Sequence, residues 1–149
     1  MAGALLQGAP GATLDTDLWI DLEPRQYMRV MNLCRSQGAQ LLAPTVAILA
    51  DETEVNFVYS PDGLRPFDRE FRRAVRIHVH KGFDLWVLPL ERILASKVAS
   101  GRPKDLAVLP LLRRVIRSRR LAGLSEPSER SKAPPVPRRS RGGAKTGPL

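Results

Sequence analysis

The chain has 149 residues, which is enough for one domain and a tail rather than for two separate cores. Its net charge of +9 is unevenly distributed, because residues 1–112 carry 13 basic and 13 acidic residues whereas residues 113–149 carry 11 and 2. The single cysteine, Cys34, excludes an internal disulfide and a cysteine-based zinc site. No apolar run reaches the roughly 18 residues that span a bilayer, and no signal-peptide pattern opens the chain. We therefore expect a cytoplasmic protein that makes no membrane contact.

Hydrophobic periodicity and turn residues predict the secondary structure in chain order. The predicted elements are a helix end at 2–7, a strand at 14–22, a helix at 25–37, short strands at 41–42 and 46–49, a strand at 54–60, a short helix at 67–74, a hairpin of 75–80 and 83–88, and helices at 90–100 and 103–120, the last with Pro103 in its first turn. The residues predicted to face the core in the last two helices are Ile93, Leu94, Val98, Leu106, Leu109, Leu112, Val115 and Ile116. This order predicts an α/β (α+β) fold in which helices pack on a small mixed β-sheet.

The last part of the chain has a different composition. It is basic, rich in Pro, Arg, Ser and Gly, and has no aromatic residue, so it cannot offset its own ordering entropy. We therefore expect a domain over residues 1–120 and a disordered tail over residues 121–149. Such a tail would make weak contacts with nucleic-acid phosphates, but it has no ring on which a base could stack.

Two carboxylates in a predicted strand are the most informative motif. Asp15 and Asp17 are followed by an apolar run, and side chains two apart on a strand lie on the same face, about 7 Å apart at Cα. Two acids held this close repel each other unless a cation lies between them. Mg²⁺ suits such a pair, because it prefers carboxylates together with substrate phosphates. The alternative is that two short polar residues merely end a turn and begin a strand.

Two other sets of residues have ordinary structural interpretations. His78 and His80 lie two apart on a predicted strand, but the chain has no further histidine to complete a zinc site. We interpret them as solvent-facing residues of the hairpin. Trp19 and Trp86 are interpreted as core or half-buried sheet residues.

The order of motifs is similar to that of a known superfamily. The motifs are Gly-Ala-Pro-Gly-Ala-Thr before Asp15-Thr16-Asp17, then Val55-Asn56-Phe57-Val58, Gly63-Leu64-Arg65-Pro66-Phe67, a hairpin, Leu88-Pro89-Leu90-Glu91-Arg92-Ile93-Leu94-Ala95-Ser96-Lys97, and Gly101-Arg102-Pro103-Lys104-Asp105-Leu106. Over residues 2–117 they resemble the nucleotidyltransferase-like superfamily, which has a polymerase-β-like fold. The resemblance is greatest to small bacterial proteins related to the abortive-infection toxin type, and the block from Lys97 to Asp105 is its most specific part.

The resemblance implies binding of Mg²⁺ and a nucleoside triphosphate, and transfer of a nucleotidyl group to an RNA end, a protein hydroxyl or a small molecule. Asp15 and Asp17 would hold the metal, with Asn56 at the third catalytic position. The nucleotide-binding residues that it implies are Thr13, Lys97, Arg102, Lys104 and Asp105. Judged without the resemblance, Lys97 extends to water and Asp105 simply lies near the dipole of the next helix.

Three departures from the superfamily pattern bear on activity. A Gly-Gly or Gly-Ser pair that cradles triphosphate would fall at or before Met1, and Gly11 replaces an arginine often found in the turn. Asn56 stands where a third carboxylate is expected, and an amide cannot accept a proton. Glu54, on the same strand face, is a partial substitute. The sequence therefore leaves two hypotheses beside a tail-driven nucleic-acid module: an active nucleotidyltransferase, or a catalytically degenerate relative that binds or regulates a partner.

Overall fold

The computed structural model describes residues 1–124. It has a mixed α+β architecture, which confirms the predicted fold class. The helices are α1 (Ala2–Leu5), α2 (Pro24–Ser36), α3 (Phe67–Phe71), α4 (Leu90–Ser100) and α5 (Pro103–Leu121). The strands are β1 (Asp15–Trp19), β2 (Gln40–Ala43), β3 (Val46–Ile48), β4 (Glu54–Val58), β5 (Val75–His80) and β6 (Phe83–Val87). The predicted tail at 121–149 lies, from residue 125 onward, outside the described residues.

The main sheet has the strand order β1-β4-β3-β2. β1 and β4 run parallel, whereas β4, β3 and β2 are joined by antiparallel pairing. A parallel pair needs a crossover, and here α2 and the β2–β3 hairpin supply it. β5 and β6 form a separate antiparallel hairpin.

One face of the main sheet is covered by α2. Val55 and Phe57 on β4 are buried against Met31 of α2, together with Ala47 of β3. Pro24 begins α2, and the side chain and backbone of Glu23 form a capping box with Gln26. The opposite face of the sheet therefore remains for polar side chains.

A second core lies between the remaining helices. Ala4 of α1 packs with Leu90 of α4 and with Leu112 and Ile116 of α5. The chain turns between α4 and α5 at Gly101, whose φ of 64° is the left-handed conformation that glycine adopts without strain. The two helices therefore form a hairpin with its turn at residues 101–102.

Two residues predicted to face this core do not. Val98 and Leu106 are 50% and 47% exposed. Both lie beside the α4–α5 turn, where polar and charged side chains, rather than apolar ones, fill the space between the helices. Of the other predicted core residues, Leu112 and Ile116 are buried in this cluster, Ile93, Leu94 and Val115 pack against it, and Leu109 is buried outside it.

Candidate functional site

The polar face of the main sheet carries the acid pair. Asp15 and Asp17 of β1 pair in register with Glu54 and Asn56 of β4. Residues in register on adjacent parallel strands point to the same side, and neighbouring strands lie about 4.8 Å apart. The four polar side chains thus share the face opposite α2.

Hydrogen bonds fix the first of these acids. The Thr13 hydroxyl donates to Asp15 Oδ1 at 2.7 Å. This bond is the main cause that lowers the pKa of the Asp15 carboxyl; partial burial opposes it, and the positive charges of the Met1 amine and of Lys104 reinforce it. Asp15 is therefore held as a carboxylate. Thr13, a predicted nucleotide-binding residue, is itself engaged by Asp15.

The amide of Asn56 is turned toward the neighbouring acid. Its Nδ2 donates to Glu54 Oε1 at 3.1 Å. The amide oxygen of Asn56 is the group that remains as a possible ligand beside Asp17. Glu54 stands level with Asp15 rather than with Asp17. The predicted third position thus carries no charge of its own.

A second cluster, the Asp105 cluster, lies at the α4–α5 turn. Asp105 is 1% exposed and accepts hydrogen bonds from Lys97 Nζ (2.6 Å), Arg102 Nε (2.6 Å) and the Ser100 hydroxyl (2.9 Å). Burial raises the pKa of the Asp105 carboxyl, but the bonds from Lys97, Arg102 and Ser100 outweigh it and bring the pKa to about 2. Asp105 therefore stays ionised and holds two cations in place.

The fold brings this cluster next to the acid pair. Lys104 Nζ lies 3.9 Å from Asp15 Oδ2. The pKa of Arg102 is raised mainly by its hydrogen bond to Asp105, and the charge of Asp17 raises it further. Burial and Lys97 lower the pKa of the Met1 amine, whereas Asp17, Asp15 and Asp105 raise it. The Met1 amine therefore lies within electrostatic range of the acid pair, of Lys97 and of Asp105.

The cations of the site differ in their access to solvent. The side chain of Lys97 is only 16% exposed and its amine is bound to Asp105, so it does not extend to water. The side chains of Arg102 and Lys104 are 62% and 69% exposed. Of the predicted nucleotide-binding residues, Arg102 and Lys104 have exposed side chains that a ligand could contact, whereas Asp105 is buried and binds both Lys97 and Arg102.

The donors on the sheet face suit a hard divalent cation. Mg²⁺ in nucleotide sites takes one or two carboxylates and completes its shell with phosphates and water. Asp15 and Asp17 supply two carboxylates, and the Asn56 amide oxygen is a neutral third ligand. Residues 1–124 contain no group of three or more His, Cys, Asp or Glu side chains placed for a metal. The two carboxylates and the Asn56 amide oxygen are the groups on this face that could hold a divalent cation.

The sequence interpretation missed Ser100, which completes the Asp105 cluster. Its position as the last residue of α4, directly before Gly101, would place it at the turn, but nothing in the pattern indicates that its hydroxyl bonds to Asp105. The histidine interpretation is confirmed, since His78 and His80 are both exposed, and Trp19 and Trp86 are half-buried as predicted.

Comparison of the chain with protein-family models, with curated proteins and with solved structures finds no match. Within residues 1–124, no helix combines the length and the apolar character that crossing a membrane requires.

Proposed function

We propose that this protein is a Mg²⁺-dependent nucleotidyltransferase that moves a nucleotidyl group from a nucleoside triphosphate to a hydroxyl-bearing acceptor. The observation that carries the proposal is that the acid pair and the Asp105 cluster lie side by side. Lys104, which precedes Asp105 in the chain, places its Nζ 3.9 Å from Asp15 Oδ2. Paired acids beside fixed cations match the needs of a metal-bound triphosphate. We place this activity in the cytoplasm, where nucleoside triphosphates and Mg²⁺ are abundant.

Each residue has a distinct role in this proposal. Asp15 and Asp17 hold Mg²⁺, which when bound neutralises phosphate charge and lowers the barrier to in-line attack. Arg102 and Lys104 contact the phosphate oxygens from the exposed side. Lys97, which is mostly buried, adds positive charge to the site without contacting the phosphates. Asp105 and Ser100 position Arg102 and Lys97.

Positioning is the protein's main contribution to such a reaction. Attack on phosphorus needs the acceptor oxygen, the phosphorus and the leaving group in line, and preorganised charges reduce the reorganisation needed at that moment. Because Asp105 is buried and triply bonded, the cations that it holds are already ordered before a ligand arrives.

The test begins with binding of ATP, CTP, GTP and UTP, each with and without Mg²⁺, by calorimetry. We expect Mg²⁺-dependent binding that Asp15→Asn/Asp17→Asn abolishes. A matched control is Asp51→Asn/Asp68→Asn, which removes the same charge at two sites outside the cluster. Transfer is then followed with α-³²P-labelled triphosphates and RNA, protein or small-molecule acceptors. Equal binding by the wild type and the Asp15→Asn/Asp17→Asn protein would refute the proposal.

A second function is favoured by one observation, the neutral residue at the third position. Asn56 pairs in register with Asp17 and donates to Glu54, so no general base stands there. In this alternative the protein binds Mg²⁺ and nucleotide but acts as a catalytically degenerate binding or regulatory partner. Asn56→Asp separates the two functions: a rise in transfer of about 100-fold, the usual contribution of a general base, supports degeneracy. Efficient transfer by the wild type, unimproved by Asn56→Asp, supports the enzyme.

A further inference from the structure

A row of aromatic rings begins beside the acid pair. Trp19 lies on the same face of β1 as Asp17, two residues further along. Its ring contacts Phe67 edge-on at 5.2 Å, Phe67 stacks on Phe71 at 5.4 Å, and Phe71 lies 6.0 Å from Trp86. All four residues are half-buried. We call these four residues the aromatic row.

The segment around the row is strongly basic. Residues 65–81 contain six basic and two acidic residues, whereas the rest of residues 1–112 contains seven basic and eleven acidic residues. One of the two acids, Glu70, is fully buried and bonded to Arg92, so it faces inward. The basic residues of the segment are all exposed: Arg65, Arg69, Arg72, Arg73, Arg76 and Lys81.

The β5–β6 hairpin extends this surface. Trp86 pairs across the strands with Arg76, and His80 pairs with Phe83. The rings of His80 and Phe83 stack at 5.4 Å with an interplanar angle of 20°. Rings therefore continue from β1 across α3 to the tip of the hairpin, where Asp84 on the same face is bonded to Arg76 and contacts His78.

We propose that this surface binds single-stranded nucleic acid. Unpaired bases stack on aromatic rings whatever their sequence, while the phosphates of the same strand contact exposed arginines. A base-paired duplex keeps its bases inside and would gain only the phosphate contacts. The basic tail can contribute charge alone, since it has no ring. The proposal stands apart from nucleotidyl transfer, although a strand on the row would have one end near Asp17.

The chain offers a direct readout, because its two tryptophans, Trp19 and Trp86, are both members of the row. Tryptophan fluorescence of the full chain is titrated with a 12-nucleotide oligouridylate RNA, an oligothymidylate DNA, a blunt RNA duplex and inorganic polyphosphate. We expect quenching by the single strands, and little by the duplex or polyphosphate. The RNA and DNA arms show which sugar is preferred. Single strands that bind without quenching, or polyphosphate that quenches equally, would overturn the proposal.

Matched variants test the charged part of the surface. Arg69→Gln/Arg72→Gln removes two exposed cations from the segment that carries Phe67 and Phe71, and Arg113→Gln/Arg114→Gln removes two exposed cations from α5. We expect the first pair to weaken oligouridylate binding about 10-fold and to reduce the salt-dependence slope by about 1.4, with little effect from the second pair. Equal losses in both variants would mean that total charge alone binds the strand. Mg²⁺–nucleotide binding, measured in parallel, shows whether the acid pair functions independently of this surface.

Discussion

Within residues 1–124, two carboxylates are fully buried, Glu70 and Asp105, and their ion pairs differ. Glu70 accepts two hydrogen bonds from Arg92 and one from the backbone N–H of Arg65, and Arg92 is itself only 18% exposed. Asp105 accepts bonds from Lys97, Ser100 and Arg102, and the last of these has a side chain that is 62% exposed. Both members of the Glu70–Arg92 pair are thus shielded from solvent, whereas the Asp105 cluster has one solvent-exposed cation, Arg102.

The difference indicates what each pair contributes. A buried ion pair gains little net stability over apolar packing, but loss of one partner is costly because the other is left uncompensated. The Glu70–Arg92 pair joins α3 to α4 and has no exposed member that could contact a ligand. In the Asp105 cluster, by contrast, the buried carboxylate holds the exposed side chain of Arg102 beside the acid pair.

Removal of the Asp105 carboxylate should have the largest effect. Asp105→Ala leaves Lys97 with its charge almost enclosed, so we expect the free energy of unfolding to fall by about 3–5 kcal/mol. Mg²⁺–nucleotide affinity should fall as well in the fraction that stays folded. Urea denaturation and calorimetry measure the two effects. A folded variant with unchanged nucleotide affinity would contradict the positioning role.

Glu70→Gln should match this variant in stability but not in binding. We expect the free energy of unfolding to fall by about 3 kcal/mol, because the buried charge of Arg92 would then face a neutral partner. Nucleotide affinity should stay within about twofold of the wild type, because Glu70 and Arg92 are outside the acid pair and the Asp105 cluster. A large loss of affinity here would erase the distinction between the two ion pairs. Asp68→Asn, which breaks only the exposed pair with Arg72, is the control and should cost less than about 1 kcal/mol.

Acid should weaken the protein through Asp105. Its pKa of about 2 lies below the ordinary 3.8, so the folded state favours the ionised form. This stabilisation is fully present above pH 4 and is lost as the pH falls through 2, at a cost of about 2 kcal/mol. The stability difference between the wild type and Asp105→Asn should therefore shrink from pH 5 to pH 2.5. A constant difference would show that the Asp105 charge does not contribute.

Arg102→Gln should give the smallest change in stability and a specific change in binding. The side chain is mostly exposed, so unfolding should shift by less than about 1 kcal/mol. Triphosphate affinity should fall about 10-fold, as expected for one charge-assisted phosphate contact. Adenosine affinity, measured as the control, should not change. An equal loss for adenosine would place Arg102 away from the phosphates.

Hydrophobic periodicity and turn residues predicted the helices and strands well, because proline and glycine residues mark where many of them begin and end. α4 runs from Leu90 to Ser100 as predicted, since Pro89 precedes it and Gly101 follows it. The hairpin is set by the alternating residues on both sides of Lys81-Gly82. β1 is shorter than predicted, and Leu14, which was included in it, is 92% exposed.

The site depends on contacts that local patterns do not specify. Lys97 and Asp105 are eight residues apart and meet only because α4 and α5 fold back at the turn. Helical periodicity wrongly predicted Val98 and Leu106 as core residues. Periodicity cannot show that ion pairs, rather than apolar side chains, fill the space beside the α4–α5 turn. The pairing of Asp17 with Asn56 needs a parallel crossover of about forty residues, which the superfamily resemblance, rather than residue spacing, led us to expect.

The most direct test of the account replaces Mg²⁺ with paramagnetic Mn²⁺ and follows backbone amide signals by NMR in the presence of a nucleoside triphosphate. If the acid pair and the Asp105 cluster form one metal–nucleotide site, signals of Asp15, Asp17 and Asn56 should broaden together with those of residues 102–105. Signals of α2, on the covered face of the sheet, should broaden less. Broadening confined to other regions, or present equally in Asp15→Asn/Asp17→Asn, would contradict the account.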